Sequence, residues 1–75
     1  MTQTTRIDAT GLLCPLPVLK LAKQIKRAQP GDVVELCADD PAAIVDVPHY
    51  CTESGNALLS TENKSDHVIY RVEKR

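Results

Sequence analysis

Val18, Leu21, Ala22, Ile25 and Ala28 recur at the three- and four-residue spacing of a single helical face. Lys20, Lys23, Gln24 and Arg27 fall on the opposite side. Pro15 suits a first helical position, where a missing N–H costs nothing. Pro30-Gly31 then stops the helix and turns the chain. A one-sided helix of this kind must lay its apolar stripe on another element. The residues beyond it supply one: "DVVELCA" alternates, with Val34, Leu36 and Ala38 on one face and Val33, Glu35 and Cys37 on the other.

The remaining elements follow the same cues. "TTRIDA" reads as a short first strand with Ile7 inward. "DDP" at 39–41 marks a second helix start, with Asp40 as N-cap and Pro41 at the first helical position. That helix is expected to run to Ser54 and stop at Gly55, bent or shortened by Pro48. "NALLSTE" and "HVIYRVEK", around the polar turn "NKSD", read as an antiparallel hairpin. A right-handed crossover makes the first two strands parallel and puts the helix on one sheet face. The expected fold is α+β: one domain over residues 1–75, a two-layer α/β sandwich of order βαβαββ, its mixed four-stranded sheet carrying two helices on one face. With two tyrosines the only aromatic residues, the core must be aliphatic.

Charge is unevenly spread. Residues 1–30 carry five basic side chains against Asp8 alone, and residues 31–62 carry seven acidic and no Lys or Arg side chains, for a net charge of -1. Such a molecule can orient a charged partner without being a general nucleic-acid binder. No apolar h-region opens the sequence and no run approaches a membrane span, so a cytoplasmic protein with reduced thiols is expected. Three cysteines, an odd number, do not suggest a disulfide framework.

The chemistry centres on "GLLCPLP", residues 11–17. With Pro15 at the first helical position, Cys14 occupies the N-cap, where the helix dipole favours thiolate over thiol. Gly11 lets the preceding loop bend. Pro15 and Pro17 preset the first turn and remove two backbone donors, leaving the Leu16 amide to face the sulfur. This predicts moderate activation of Cys14, suited to a sulfur that must both accept and release cargo. Asp8 is expected to bond loop amides. Leu13, Leu16 and Leu19 lie off the inward stripe. They predict an exposed apolar spot beside Cys14, edged by Lys20, Lys23 and Arg27, for docking an acidic-rimmed partner. Cys51 shares a helical face with Ile44 and Val47 and reads as core, while Cys37 lies on the less covered sheet face. Capping accounts for Asp40, so the Asp39–Asp40 pair does not suggest acid–base catalysis. His49-x-Cys51 is a poor metal signature, and no bound metal is expected.

"DATGLLCPLPVLKLAK" with "PGDVVELCADDPAAIVDVPHYC" resembles the TusA/SirA family of small sulfur-carrier proteins, over roughly residues 6 to 74. The family hallmark is Cys-Pro-x-Pro at the start of the first helix, preceded by Asp and Gly. The resemblance implies a βαβαββ sandwich, no cofactor beyond a persulfide held covalently on Cys14, and a sulfurtransferase role. Sulfur would arrive from a cysteine desulfurase or rhodanese-like donor and leave to an acceptor protein (DsrE-like), in tRNA thiolation, cofactor assembly or sulfur oxidation. Members serving tRNA thiolation often carry Arg before the cysteine and Glu between the prolines; Leu13 and Leu16 stand there in this chain. Two other readings stay open. One is a regulatory module using the basic first helix, against which stand the net charge and the scarcity of stacking aromatics. The other is a thiol redox sensor pairing Cys14 with Cys37 or Cys51.

Overall fold

A computed structural model of the protein describes residues 3–75. Its elements are β1 (Thr4–Asp8), α1 (Leu16–Arg27), β2 (Val33–Ala38), α2 (Ala43–Ser54), β3 (Ala57–Asn63) and β4 (Val68–Glu73). The sheet order is β1-β2-β4-β3. β1 and β2 are parallel, β2–β4 and β3–β4 antiparallel. This is the expected mixed α+β sandwich.

Alternation along β2 and β4 decides which face the helices cover. Val34 pairs with Val72 and Leu36 with Tyr70. These four meet Leu21 and Ile25 of α1 and Ala43, Val47 and Cys51 of α2 in one buried cluster. The opposite face carries a row of alternating charge. Glu35 accepts from Arg6 at 3.4 Å and from Arg71 at 2.6 Å, and Glu62 accepts from Arg71 at 3.0 Å and pairs with Lys64 at 2.7 Å. A paired, solvated row of this kind leaves that face polar without buried unsatisfied charge. β3 carries a bulge at Leu59, between the Leu58↔Val72 and Ser60↔Arg71 pairs.

Several boundaries differ from expectation. α1 begins at Leu16, with Pro15 as N-cap, so Cys14 lies one residue outside the cap. The Leu16 N–H closes a turn onto the Leu13 carbonyl at 2.9 Å, and the first helical bond runs from Leu19 to Pro15 at 3.1 Å. Asp40 does start α2, but as a side-chain turn: its Oδ1 accepts the Ala42 N–H at 3.1 Å, and the helix proper begins at Ala43. Pro48 sits inside α2 and supplies no N–H to the Ile44 carbonyl, so only a short segment precedes it. The helix ends at Gly55, whose φ of 80° is the left-handed cap that favours glycine.

The inward face of α2 is also narrower than expected. Ala43, Val47 and Cys51, four residues apart, are buried. Ile44 is 59% exposed and does not join Val47 and Cys51 in the core. Cys37 is buried at 7% exposure, although it lies opposite the helix layer, because Asp8 and Ile69 flank it in register.

Candidate functional site

Three aspartates tie down the loop that presents Cys14. Asp8 Oδ1 accepts the Thr10 N–H at 3.0 Å and the Thr10 hydroxyl at 2.6 Å, as expected for a residue bonding loop amides. Both bonds hold its carboxyl below the usual carboxylate range. Asp39 accepts the Gly11 N–H at 3.0 and 3.1 Å through its two oxygens. Gly11 has φ 80°, so its bend requires glycine rather than merely tolerating it. Asp40 Oδ2 accepts the Cys14 N–H at 2.6 Å. The two acids between β2 and α2 therefore clamp the β1–α1 loop across the end of the sheet.

Cys14 is exposed, whereas Cys37 and Cys51 are buried. Its sulfur borders a shallow cleft of about 310 Å³ between the two helices. Cys14, Pro15 and Val18 form one wall, and Asp46, His49, Tyr50 and Glu53 form the other. These α2 residues fall at i, i+3, i+4 and i+7, a single helical stripe that the sequence carries but that is not apolar enough to stand out. Among the described residues no group of three His, Cys, Asp or Glu side chains could hold a metal ion.

The electrostatics of the sulfur reverse the expectation from the helix start. The Leu16 amide does not face the thiol, because the Leu13 carbonyl takes it. Hydrogen bonding to the Asp46 carboxylate pushes the Cys14 thiol above the usual cysteine value, with partial desolvation and the charges of Asp46 and Asp40 adding to it. Carboxylates favour the neutral thiol for the same reason that cations favour thiolate. Cys51 is pushed up as well, by burial alone.

The other expected residues divide cleanly. Leu13, Leu16 and Leu19 are exposed at 70%, 48% and 56%. Lys20, Lys23 and Arg27 are exposed on the same helix and enter no ion pair among the described residues. Pro17 is buried on the α1 face that meets the core, beside Leu21 and Ile25, and so anchors the helix start. Asp46, His49, Tyr50 and Glu53 had no place in the sequence reading of the site, and Asp39 entered it only as half of a discounted pair.

The fold and site define a small two-layer sandwich that offers one accessible thiol at the mouth of its first helix. A family described as "Sulfurtransferase TusA" matches residues 5–74. The chain is also 35% identical over 69 residues to the sulfur carrier protein TusA of Pseudomonas entomophila (strain L48), covering 92% of this chain and 86% of that protein. The chain belongs to the TusA sulfurtransferase family.

Proposed function

We propose that this protein is a sulfur carrier that takes sulfur as a persulfide on Cys14 and passes it to an acceptor protein. The observation that carries the reading is the position of Cys14: the one exposed thiol, on the Cys-Pro-x-Pro loop, at an open cleft. In the loading step the Cys14 thiolate attacks the terminal sulfur of a donor persulfide. An S–S bond forms at Cys14, the donor's S–S bond breaks, and the electron pair leaves with the donor cysteine as thiolate. Unloading repeats the exchange with an acceptor thiolate, so no external oxidant or reductant is consumed. A cysteine desulfurase or a rhodanese-like protein fits the donor role, and a DsrE-like protein the acceptor role. The exposed leucines Leu13, Leu16 and Leu19, bordered by Lys20, Lys23 and Arg27, are the docking surface in this reading. Apolar side chains left in water beside a reacting group gain most when a partner covers them.

The test is intact mass after incubation with a persulfide donor. The expected result is a gain of one sulfur, lost in Cys14→Ser and kept in Cys37→Ser and Cys51→Ser. No gain with any donor would end the carrier reading. A redox sensor needs a second accessible thiol, and both other cysteines are buried.

A further inference from the structure

Asp46 lies on the α2 wall of the cleft, half-buried and facing Cys14. No lysine or arginine lines the cleft, and among the described residues Asp46 forms no ion pair. The other charged or titratable groups there do not relieve it. His49 faces Glu53 at 3.8 Å, Tyr50 brings a phenol and no cation, and Glu53 is a second acid. On the opposite side of Cys14, Asp40 takes the backbone N–H. Two carboxylates thus act on Cys14, and no lysine or arginine of α1 is among the residues lining the cleft.

We propose that Asp46, across the cleft, keeps Cys14 as a thiol in the free protein, and that a basic side chain presented by the sulfur donor releases it by pairing with Asp46. The second half rests on the reading of Cys14 as the sulfur acceptor; the first concerns the thiol alone. A thiol resists oxidation and stray alkylation, whereas the thiolate is the nucleophile. An unpaired carboxylate inside an open cleft is the natural mate of an arginine or lysine brought in by a partner. Once that cation neutralises Asp46, the sulfur is freed to ionise. The Cys14 thiolate attacks the terminal sulfur of the donor persulfide, and the departing donor thiolate takes up the proton that Cys14 released. Charge thus makes activation conditional on docking. The same split in charge sets the docking geometry: the lysines of α1 seek an acidic rim, and the α2 cleft seeks a cation.

The experiment follows the pH dependence of Cys14 alkylation by iodoacetamide, with the modified cysteine located by peptide mass. In Asp46→Asn the midpoint is expected to fall. Below both midpoints, each unit of fall raises the thiolate fraction about tenfold and lowers its intrinsic reactivity about threefold, a net gain of about threefold. Asp46→Ser gives a second variant should the first fold poorly, and Glu53→Gln controls for general negative charge. A midpoint unchanged or raised in both Asp46 variants would overturn the proposal, as would an equal fall in Glu53→Gln. The donor half is read by loading Cys14 from two short peptide persulfides, one with arginine beside its cysteine and one with leucine. Wild-type protein should load faster from the arginine peptide, and Asp46→Asn should lose that preference; no preference in wild type refutes the donor cation. If neither peptide loads any variant, the donor-cation half fails, the mass test with protein donors still decides the carrier reading, and the alkylation profile decides the hold of Asp46 on the thiol.

Discussion

Asp40 joins the Cys14 loop to α2 through one carboxylate, and its removal has a measurable cost. Its Oδ2 accepts the Cys14 N–H at 2.6 Å and its Oδ1 the Ala42 N–H at 3.1 Å. Charge-assisted hydrogen bonds contribute about 1.5–3 kcal/mol each where water is excluded. The bond to Cys14 is exposed and the other part-buried, so about 1 kcal/mol each is the appropriate scale. Asp40→Ala should therefore cost about 2 kcal/mol. For a 75-residue domain with a total stability of roughly 4–11 kcal/mol, that is a large fraction. The melting temperature should fall by about 8–16 °C. Asp40→Asn keeps one acceptor oxygen and should lose about half as much. Far-UV circular dichroism during heating gives the midpoints, and urea unfolding at fixed temperature gives the free energies. Removing this charge also takes away one of the influences holding up Cys14, so its alkylation midpoint should fall modestly in both variants. Melting within about 2 °C of wild type for Asp40→Ala would refute the clamp and return the Cys14 loop to purely local control.

Val47→Ala should cost about 2 kcal/mol in urea unfolding, because Val47 is fully buried at 0% exposure, whereas Ile44→Ala, at 59% exposure, should change stability by less than about 0.5 kcal/mol. Equal effects would mean that α2 is rotated from the face described. Leu16→Glu, at a position 48% exposed, should block sulfur acceptance from a protein donor and leave the melting temperature near wild type; loading at the wild-type rate would remove Leu16 from the docking surface. Asp32 accepts the Gln29 and Gln3 N–H groups at 3.0 and 3.1 Å, which hold its carboxyl below the ordinary value of 3.8. Since the folded state binds this proton less readily than the unfolded chain, its contribution is complete above about pH 4 and is lost as pH falls through the folded value. Urea midpoints against pH should accordingly drop less steeply below about pH 4 in Asp32→Asn than in wild type; identical acid limbs would contradict the assignment.

Much of the architecture was legible because it rests on short-range periodicity. The three- and four-residue spacing around Leu21 and Ile25, and the alternation of Val34, Leu36 and Ala38, each name one face, and two such faces in one short chain have few ways to meet. The α2 face was less legible. Ile44 and Val45 are as apolar as Val47 yet lie in water, because the helix starts at Ala43 and its rotation is set by where Asp40 and the sheet edge hold it. The Leu59 bulge left no mark in the alternation of β3. Asp46 was illegible as a site residue, since an acid on an amphipathic helix ordinarily faces solvent.

By itself the sequence determined the order of elements, the two layers and the nearness of Cys14 to the start of α1, all consequences of backbone stereochemistry and local hydrophobic pattern. But the core it marked as aliphatic includes Tyr70, at 1% exposure, and Cys14, expected at the N-cap, lies one residue outside it. It also pointed to the exposed leucines around that cysteine. What only the tertiary structure decided is the charge state that Cys14 favours. Local rules set a cysteine near the positive end of a helix and favour thiolate. The fold instead brings Asp40, 26 residues further along the chain, to the backbone of Cys14, and Asp46 to its sulfur. Electrostatic interaction depends on distance through space and not on separation along the chain, so the second helix overrules the first.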